Sequence, residues 1–187
     1  YGFERTLTKE EFSERVQNGT VLDVLHKVPV KAGDSFFIEA GTVHAIGAGI
    51  VIAEVQQSSN LTYRIYDYGR LGADGKPREL HIEKATQTAH LCPAKTDYDF
   101  GTHIADCPYF TVDIACVDNT VALYADDTSF LSLLVLDGEG MLTQNGSQSA
   151  YKKGDSFFVT AGSKSLTAQG SGKLLVSRLG MPKNSEH

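Results

Sequence analysis

The chain has 187 residues and a formal net charge of −6 at pH 7, with 41% hydrophobic and 21% charged residues, the profile of a globular protein rather than a disordered one. At this length roughly 70% of the unfolded surface can be buried, so folding needs no disulfide or metal staple. The acidic balance argues against general nucleic-acid binding and requires a local basic cluster wherever an anionic substrate sits. No apolar run approaches the roughly 18 residues of a membrane span, and no secretory signal is visible.

Helix is expected only in the first quarter. Thr8-Lys9-Glu10-Glu11 reads as a capping box, in which the Thr8 hydroxyl accepts from the Glu11 amide and the Glu11 carboxylate reaches back. Phe12 and Val16 follow four apart on one face, and Asn18-Gly19 stops the helix. A second short helix is expected from Val21 to His26, capped by Thr20 and ended before Pro29.

From Pro29 onward the pattern changes to short β-branched and aromatic runs set off by glycine. Strands are expected at Ser35–Ile38, Ile50–Gln56, Thr62–Tyr66, Phe110–Val117, Phe130–Leu136 and Leu174–Val176. Gly69–Glu79 reads as a polar loop, while Asp118-Asn119-Thr120 and Asp137-Gly138-Glu139-Gly140 read as turns. Cys92, Cys107 and Cys116 lack C-x-x-C spacing and are expected to be buried thiols in a reducing, cytoplasmic setting.

One unit recurs. Lys31-Ala32-Gly33-Asp34-Ser35-Phe36-Phe37-Ile38-Glu39-Ala40-Gly41 returns as Lys152-Lys153-Gly154-Asp155-Ser156-Phe157-Phe158-Val159-Thr160-Ala161-Gly162. A turn glycine, an Asp, an aromatic strand and a second glycine build one hairpin, so two similar β-modules are expected. The same offset places Ser165 where the first copy has His44. Whatever His44 does, the second copy does not do.

Gly33 to Gly41, followed by two residues and His44, resembles the second signature motif of cupins, with Glu39 where the family usually has proline. Neutral imidazole is a good ligand for zinc, iron and similar divalent ions. A wider resemblance surrounds it. His44-Ala45-Ile46-Gly47-Ala48-Gly49, Glu54-Val55-Gln56-Gln57-Ser58-Ser59-Asn60-Leu61-Thr62-Tyr63-Arg64, Tyr66-Asp67-Tyr68-Gly69-Arg70 and Arg78-Glu79-Leu80-His81-Ile82-Glu83-Lys84-Ala85 resemble the shorter bacterial form of type I mannose-6-phosphate isomerase. The likeness is dense over residues 1–90 and thinner over 100–180.

The resemblance implies a mainly β protein of two cupin modules, each a double-stranded β-helix, with a short helical segment at the N-terminus. Residues 1–100 would be the C-terminal part of the catalytic module, and 101–187 a degenerate module without a metal site. It implies a zinc cofactor and interconversion of mannose 6-phosphate and fructose 6-phosphate through a cis-enediol. His44 matches the family's zinc-ligating His after the tight turn. The family's Gln-x-His pair has no counterpart in the 187 residues, and Tyr1 stands where the family's chain is already under way. The expectation is a C-terminal portion whose other zinc ligands lie upstream.

Three further positions carry over. Arg64 matches the catalytic arginine, whose cationic fork would stabilise oxyanion charge; on residue types alone it is equally placed to pair with Asp67. Glu54 matches an acidic active-site residue, and a carboxylate can shuttle a proton; alone it reads as an exposed strand residue. Asn60 stands where many members have Asp, leaving a hydrogen-bonding role toward substrate. Lys84, with Arg70, Lys76 and Arg78, supplies positive field for a sugar phosphate, or else a solvated charged face. His26, His81, His90 and His103 show no ligand spacing.

The alternative is a non-catalytic cupin that binds a sugar or sugar phosphate without zinc and without turnover. An oxygenase-type cupin would need an H-x-H pair, and a DNA-binding regulator a helix-turn-helix and a basic face; the chain has neither. No membrane or nucleic-acid partner is expected, and nothing in the sequence speaks to oligomeric state.

Overall fold

A computed structural model of the protein describes residues 1–180. The chain divides into two compact units, one of residues 1–53 and 58–98, the other of residues 54–57 with the chain from Asp99 onward.

The first unit holds α1 (Lys9–Gln17), a 3-10 turn (Val21–Val24) and α2 (Ile82–Thr88). Thr8 Oγ1 accepts from the Glu11 amide at 3.1 Å, as the sequence predicts. The reciprocal half of the capping box is absent, because the Glu11 carboxylate turns instead to Arg5 and Arg15. At the other end the Thr20 amide bonds the Arg15 carbonyl and the Gly19 amide the Val16 carbonyl, a closure that needs the left-handed Gly19 (φ 70°). The expected second helix is shorter, ends at Val24 and has no side-chain cap from Thr20. Phe12 and Val16 are buried in a core with Phe3, Leu7, Val21, Val24 and Ala85.

α2 was not expected. Its N-cap is His81, whose side chain makes no capping bond, so the sequence carries no Ser, Thr, Asp or Asn signal there.

The strands expected at Ser35–Ile38, Ile50–Gln56 and Thr62–Tyr66 do not form; these stretches run without ladder partners among the described residues. Their composition favours strands, but a strand exists only through a neighbour. Val51 is 98% exposed and Leu61 73%.

The second unit contains a six-stranded sheet. Its strands are β1 (Ala105–Asp106), β2 (Phe110–Ala125), β3 (Leu131–Gln144), β4 (Ser147–Lys152), β5 (Ser156–Val159) and β6 (Lys164–Leu179). Every pairing is antiparallel. The order is β1-β2-β6-β3, and β4 and β5 share the far edge of β3. Leu131, Leu133 and Val135 alternate on β3, as Leu174 and Val176 do on β6, so one face of each strand feeds the core. β3 and β4 join through Asn145-Gly146, both at positive φ, the two-residue turn that suits strand twist.

The expected turns at Asp118–Thr120 and Asp137–Gly140 lie inside β2 and β3. Gly138 faces Gly172 and Gly140 faces Gly170 in the β3–β6 register, and a Cβ on Gly140 would run into the Gln169 carbonyl oxygen. These glycines let two long strands bend at close approach without leaving the ladder. The cysteines also differ from expectation: Cys92 and Cys116 are exposed and Cys107 is partly so.

Candidate active site

The loop carrying His44 begins with a turn that shares two closing bonds with the turn that precedes β5. The Asp34 amide bonds the Lys31 carbonyl at 3.1 Å and Asp34 Oδ2 accepts from the Lys31 amide at 2.9 Å. In the second copy the Asp155 amide bonds the Lys152 carbonyl at 3.0 Å and Asp155 Oδ2 accepts from the Lys152 amide at 2.9 Å. Gly33 and Gly154 have φ of 95° and 91°.

Beyond that turn the first copy is fastened by its own unit. The Tyr1 hydroxyl lies 2.7 Å from the Phe37 carbonyl, and the Tyr98 ring packs edge-on against Phe37. The Tyr98 hydroxyl donates to the Glu39 carboxylate; burial first, and then that negative charge, push its pKa up to about 12. A proline, the family's usual residue at position 39, would offer no such acceptor. Gly41 (φ 92°) accepts from the His90 amide at 2.8 Å, and a Cβ there would stand 2.7 Å from the Thr88 carbonyl. The Gly2 amide bonds the Val43 carbonyl at 2.8 Å. His44 therefore leaves a loop held to the N-terminus and to the end of α2.

His44 itself is exposed. Its Nδ1 lies 2.9 Å from the Thr42 carbonyl oxygen. A carbonyl only accepts, so Nδ1 carries a proton, and in the neutral imidazole Nε2 then keeps an unshared pair. That is the arrangement a metal-ligating imidazole takes when its second nitrogen is oriented by the backbone.

Arg64 belongs to a charged cluster with Asp67 and Arg78. Its Nη1 lies 3.4 Å from the Glu79 carbonyl and its Nε 3.6 Å from Asp67 Oδ1. Asp67 is mainly engaged by Arg78, which donates from both Nε and Nη2. That bidentate pair lowers the Asp67 pKa and raises that of Arg78, with Arg64 and Arg70 adding smaller contributions at Asp67. Arg64 is thus partly buried and not fully committed to a carboxylate. The ion pair with Asp67 suggested by residue types exists, but Arg78 dominates it.

Lys84 projects from α2 with its Nζ 6.0 Å from the Tyr63 ring centroid, and Tyr63 in turn lies 6.1 Å from the His81 ring. Arg64 and Lys84 thereby belong to one cluster at the start of α2. Among the described residues no hydrogen bond or ion pair joins His44 or Asn60 to Arg64. Asn60 and Glu54 are exposed and lie outside any strand. No group of three or more His, Cys, Asp or Glu residues able to hold a metal occurs among the described residues. The residue that sequence reasoning missed is His81, whose ring nitrogen meets the Arg64 main chain; its sequence signal is its place in the run Arg78–Ala85 that carries the resemblance.

Residues 100–179 match the family model described as mannose-6-phosphate isomerase, cupin domain. Mannose-6-phosphate isomerase ManA of Bacillus subtilis is 34% identical over 188 residues, covering 96% of this chain and 59% of that protein. Over nearly its whole length the chain is similar to mannose-6-phosphate isomerases. The Streptococcus mutans enzyme is 36% identical over 185 residues, 95% of this chain and 58% of its own. The crystal structure of the B. subtilis mannose 6-phosphate isomerase superposes with a TM-score of 0.80 at 31% identity, over 94% of this chain and 58% of that one. The fold is therefore cupin-like and mainly β. The chain spans somewhat under three fifths of the length of these relatives.

Proposed function

We propose that the protein is an aldose–ketose isomerase that interconverts mannose 6-phosphate and fructose 6-phosphate through a cis-enediol. The observation that carries this is the Arg64 guanidinium, partly buried and only loosely paired, in a chain related over nearly its whole length to isomerases of that name. A proton leaves the carbon beside the carbonyl and returns to its neighbour. Arg64 stabilises the oxygen charge that builds up meanwhile. Glu54 is the carboxylate proposed to shuttle the proton. Asn60 would hydrogen-bond the sugar, and Lys84 would supply positive field toward the phosphate.

His44 fits a zinc ligand, since its backbone-oriented ring leaves Nε2 for the ion. One imidazole does not make a zinc site, so the other donors would come from outside the described residues. The exposed, unladdered stretches around Val51 and Leu61 support that reading, because they are apolar strand sequences in want of a neighbour. Zinc, when bound, supplies Lewis acidity toward substrate oxygens. On this view the chain comprises part of a catalytic cupin module, about residues 1–100, and a second module without a metal site, about 101–187. The matching turns at Asp34 and Asp155 support the two-module arrangement. Three free thiols suit a reducing compartment, which supports a cytoplasmic setting; no helix among the described residues is long and apolar enough to cross a membrane.

The experiment is a coupled assay for mannose 6-phosphate from fructose 6-phosphate with added zinc, alongside calorimetric binding of fructose 6-phosphate. Binding or turnover lost in Arg64→Ala supports the proposal. Neither binding nor turnover, or turnover that survives both Arg64→Ala and His44→Ala, overturns it.

A further inference from the structure

His81 is joined to Arg64 by two hydrogen bonds. The Arg64 amide donates to His81 Nδ1 at 3.0 Å, and the His81 amide donates back to the Arg64 carbonyl at 2.7 Å. Because Nδ1 accepts, the imidazole is neutral with its proton on Nε2. The His81 carbonyl then accepts from the Ala85 amide at 2.9 Å, opening α2. One residue thus ties the backbone of Arg64 to the first turn of a helix whose Ala85 is buried in the core.

This bond has unusual weight because of what surrounds it. Thr62–Tyr66 has strand composition but no sheet ladder to hold it, so its register depends on a few individual bonds. Among the described residues the polar contacts of the Arg64 guanidinium are long, at 3.4 and 3.6 Å. Its direction is therefore set from the main-chain end. The rings of Tyr63 and His81, 6.1 Å apart, add a second contact on the same hinge.

We infer that His81 is a positioning residue for Arg64, acting as a neutral acceptor that fixes the arginine's backbone and so aims its guanidinium. The inference rests on the proposed role of Arg64, but its structural half stands apart from that role. The acceptor requirement is specific: Asn places Oδ1 where His has Nδ1, whereas Gln moves its oxygen one bond further out. His81→Asn keeps the bond, and His81→Gln loses it.

The test uses the full 187-residue chain and its His81→Asn, His81→Gln and Arg64→Ala variants. Hydrogen exchange is read by NMR at the Arg64 amide, with the Ala85 amide as an internal control, and fructose 6-phosphate affinity is read by calorimetry. His81→Gln should speed exchange at Arg64 about tenfold or more while sparing Ala85, and should weaken fructose 6-phosphate binding. His81→Asn should restore both, which also answers any doubt that substitution merely unfolds the unit. Equal Arg64 exchange in all chains refutes the clip. Faster exchange in His81→Gln with unchanged affinity, where Arg64→Ala does weaken binding, refutes the positioning role. If Arg64→Ala leaves binding unchanged, the proposed role of Arg64 fails and the positioning role falls with it, while the exchange rates still decide whether the clip exists.

Discussion

The Nε of Arg64 stands 3.6 Å from Oδ1 of Asp67, a carboxylate whose closer bonds both go to Arg78. Arg78 therefore competes with Arg64 for one anion, and by winning it leaves the Arg64 fork available to a ligand. Arg78→Ala should let Asp67 draw Arg64 in, weakening fructose 6-phosphate binding about two- to fivefold, the scale of an exposed ion pair. Asp67→Asn added to Arg78→Ala should recover the loss. Calorimetry on the three chains checks this, and additive losses in the double variant would show that Arg78 acts on the ligand directly.

The sheet gives a steric prediction. A Cβ at position 140 meets the Gln169 carbonyl and comes within 2.7 Å of the Tyr151 hydroxyl, both fixed by the ladder and the core. Gly140→Ala should destabilise the second unit by about 1–3 kcal/mol or more, which for a chain of this size is roughly 2–4 °C of melting temperature per kcal/mol. Gly47 has ordinary φ, and its new methyl would sit 3.6 Å from Ile50 Cδ1. Gly47→Ala should melt within about 1–2 °C of the parent.

At the acid end, Glu11 is the group to watch. Hydrogen bonds from Arg5, then Arg15, lower its pKa from 4.5 to about 2. A depressed carboxylate contributes stability that is present in full above its ordinary pKa and is lost as pH falls toward the folded value. Melting curves of the parent and Glu11→Gln should differ above pH 4.5 and converge as pH approaches 2. A constant gap across that window would contradict the assignment.

The alkaline end belongs to Tyr98. Its pKa, raised from 10.0 to about 12, means that the folded state favours the neutral phenol. That contribution is complete below pH 10 and fades as pH rises through about 12. Absorbance at 295 nm should show a late tyrosinate step that vanishes in Tyr98→Phe, and the same substitution should loosen the loop before His44.

Strand identity was legible where the partner strands themselves lie among the described residues, even at long sequence separation. Phe110–Val117 and Leu174–Val176 lie wholly in strands and Phe130–Leu136 does so from Leu131 onward, and each strand runs further than the sequence suggested. The extensions pass through residues that read as turns. Gly138 and Gly172 speak for a bend, and nothing in a single sequence says whether a bent strand keeps its ladder. Asn145-Gly146 is a hairpin signal carried by residue type alone. Three stretches between Ser35 and Tyr66 failed in the opposite sense, since β composition is a property of the residues whereas a strand belongs to a pair.

The site was legible to a similar degree. Arg64 and His44 stand out by residue type and motif. The Nδ1–Thr42 and His81–Arg64 bonds do not, because each pairs a side chain with main chain, and main chain has no letter in the sequence. Lys84 reaches the Arg64 cluster only because α2 forms, and α2 lacks a recognisable cap.

The twin turns at Asp34 and Asp155 have a quantitative consequence. Ser35-Phe36-Phe37-Ile38 and Ser156-Phe157-Phe158-Val159 differ by one methylene, and both follow turns closed by the same bonds. One tetrapeptide lies against β3 and the other has no ladder. Intrinsic preference nearly cancels between them, as it does between a sample and its blank. The ratio of their amide protection factors, taken from a single spectrum, then measures how much protection a neighbouring strand confers on a sequence that was already inclined to extend.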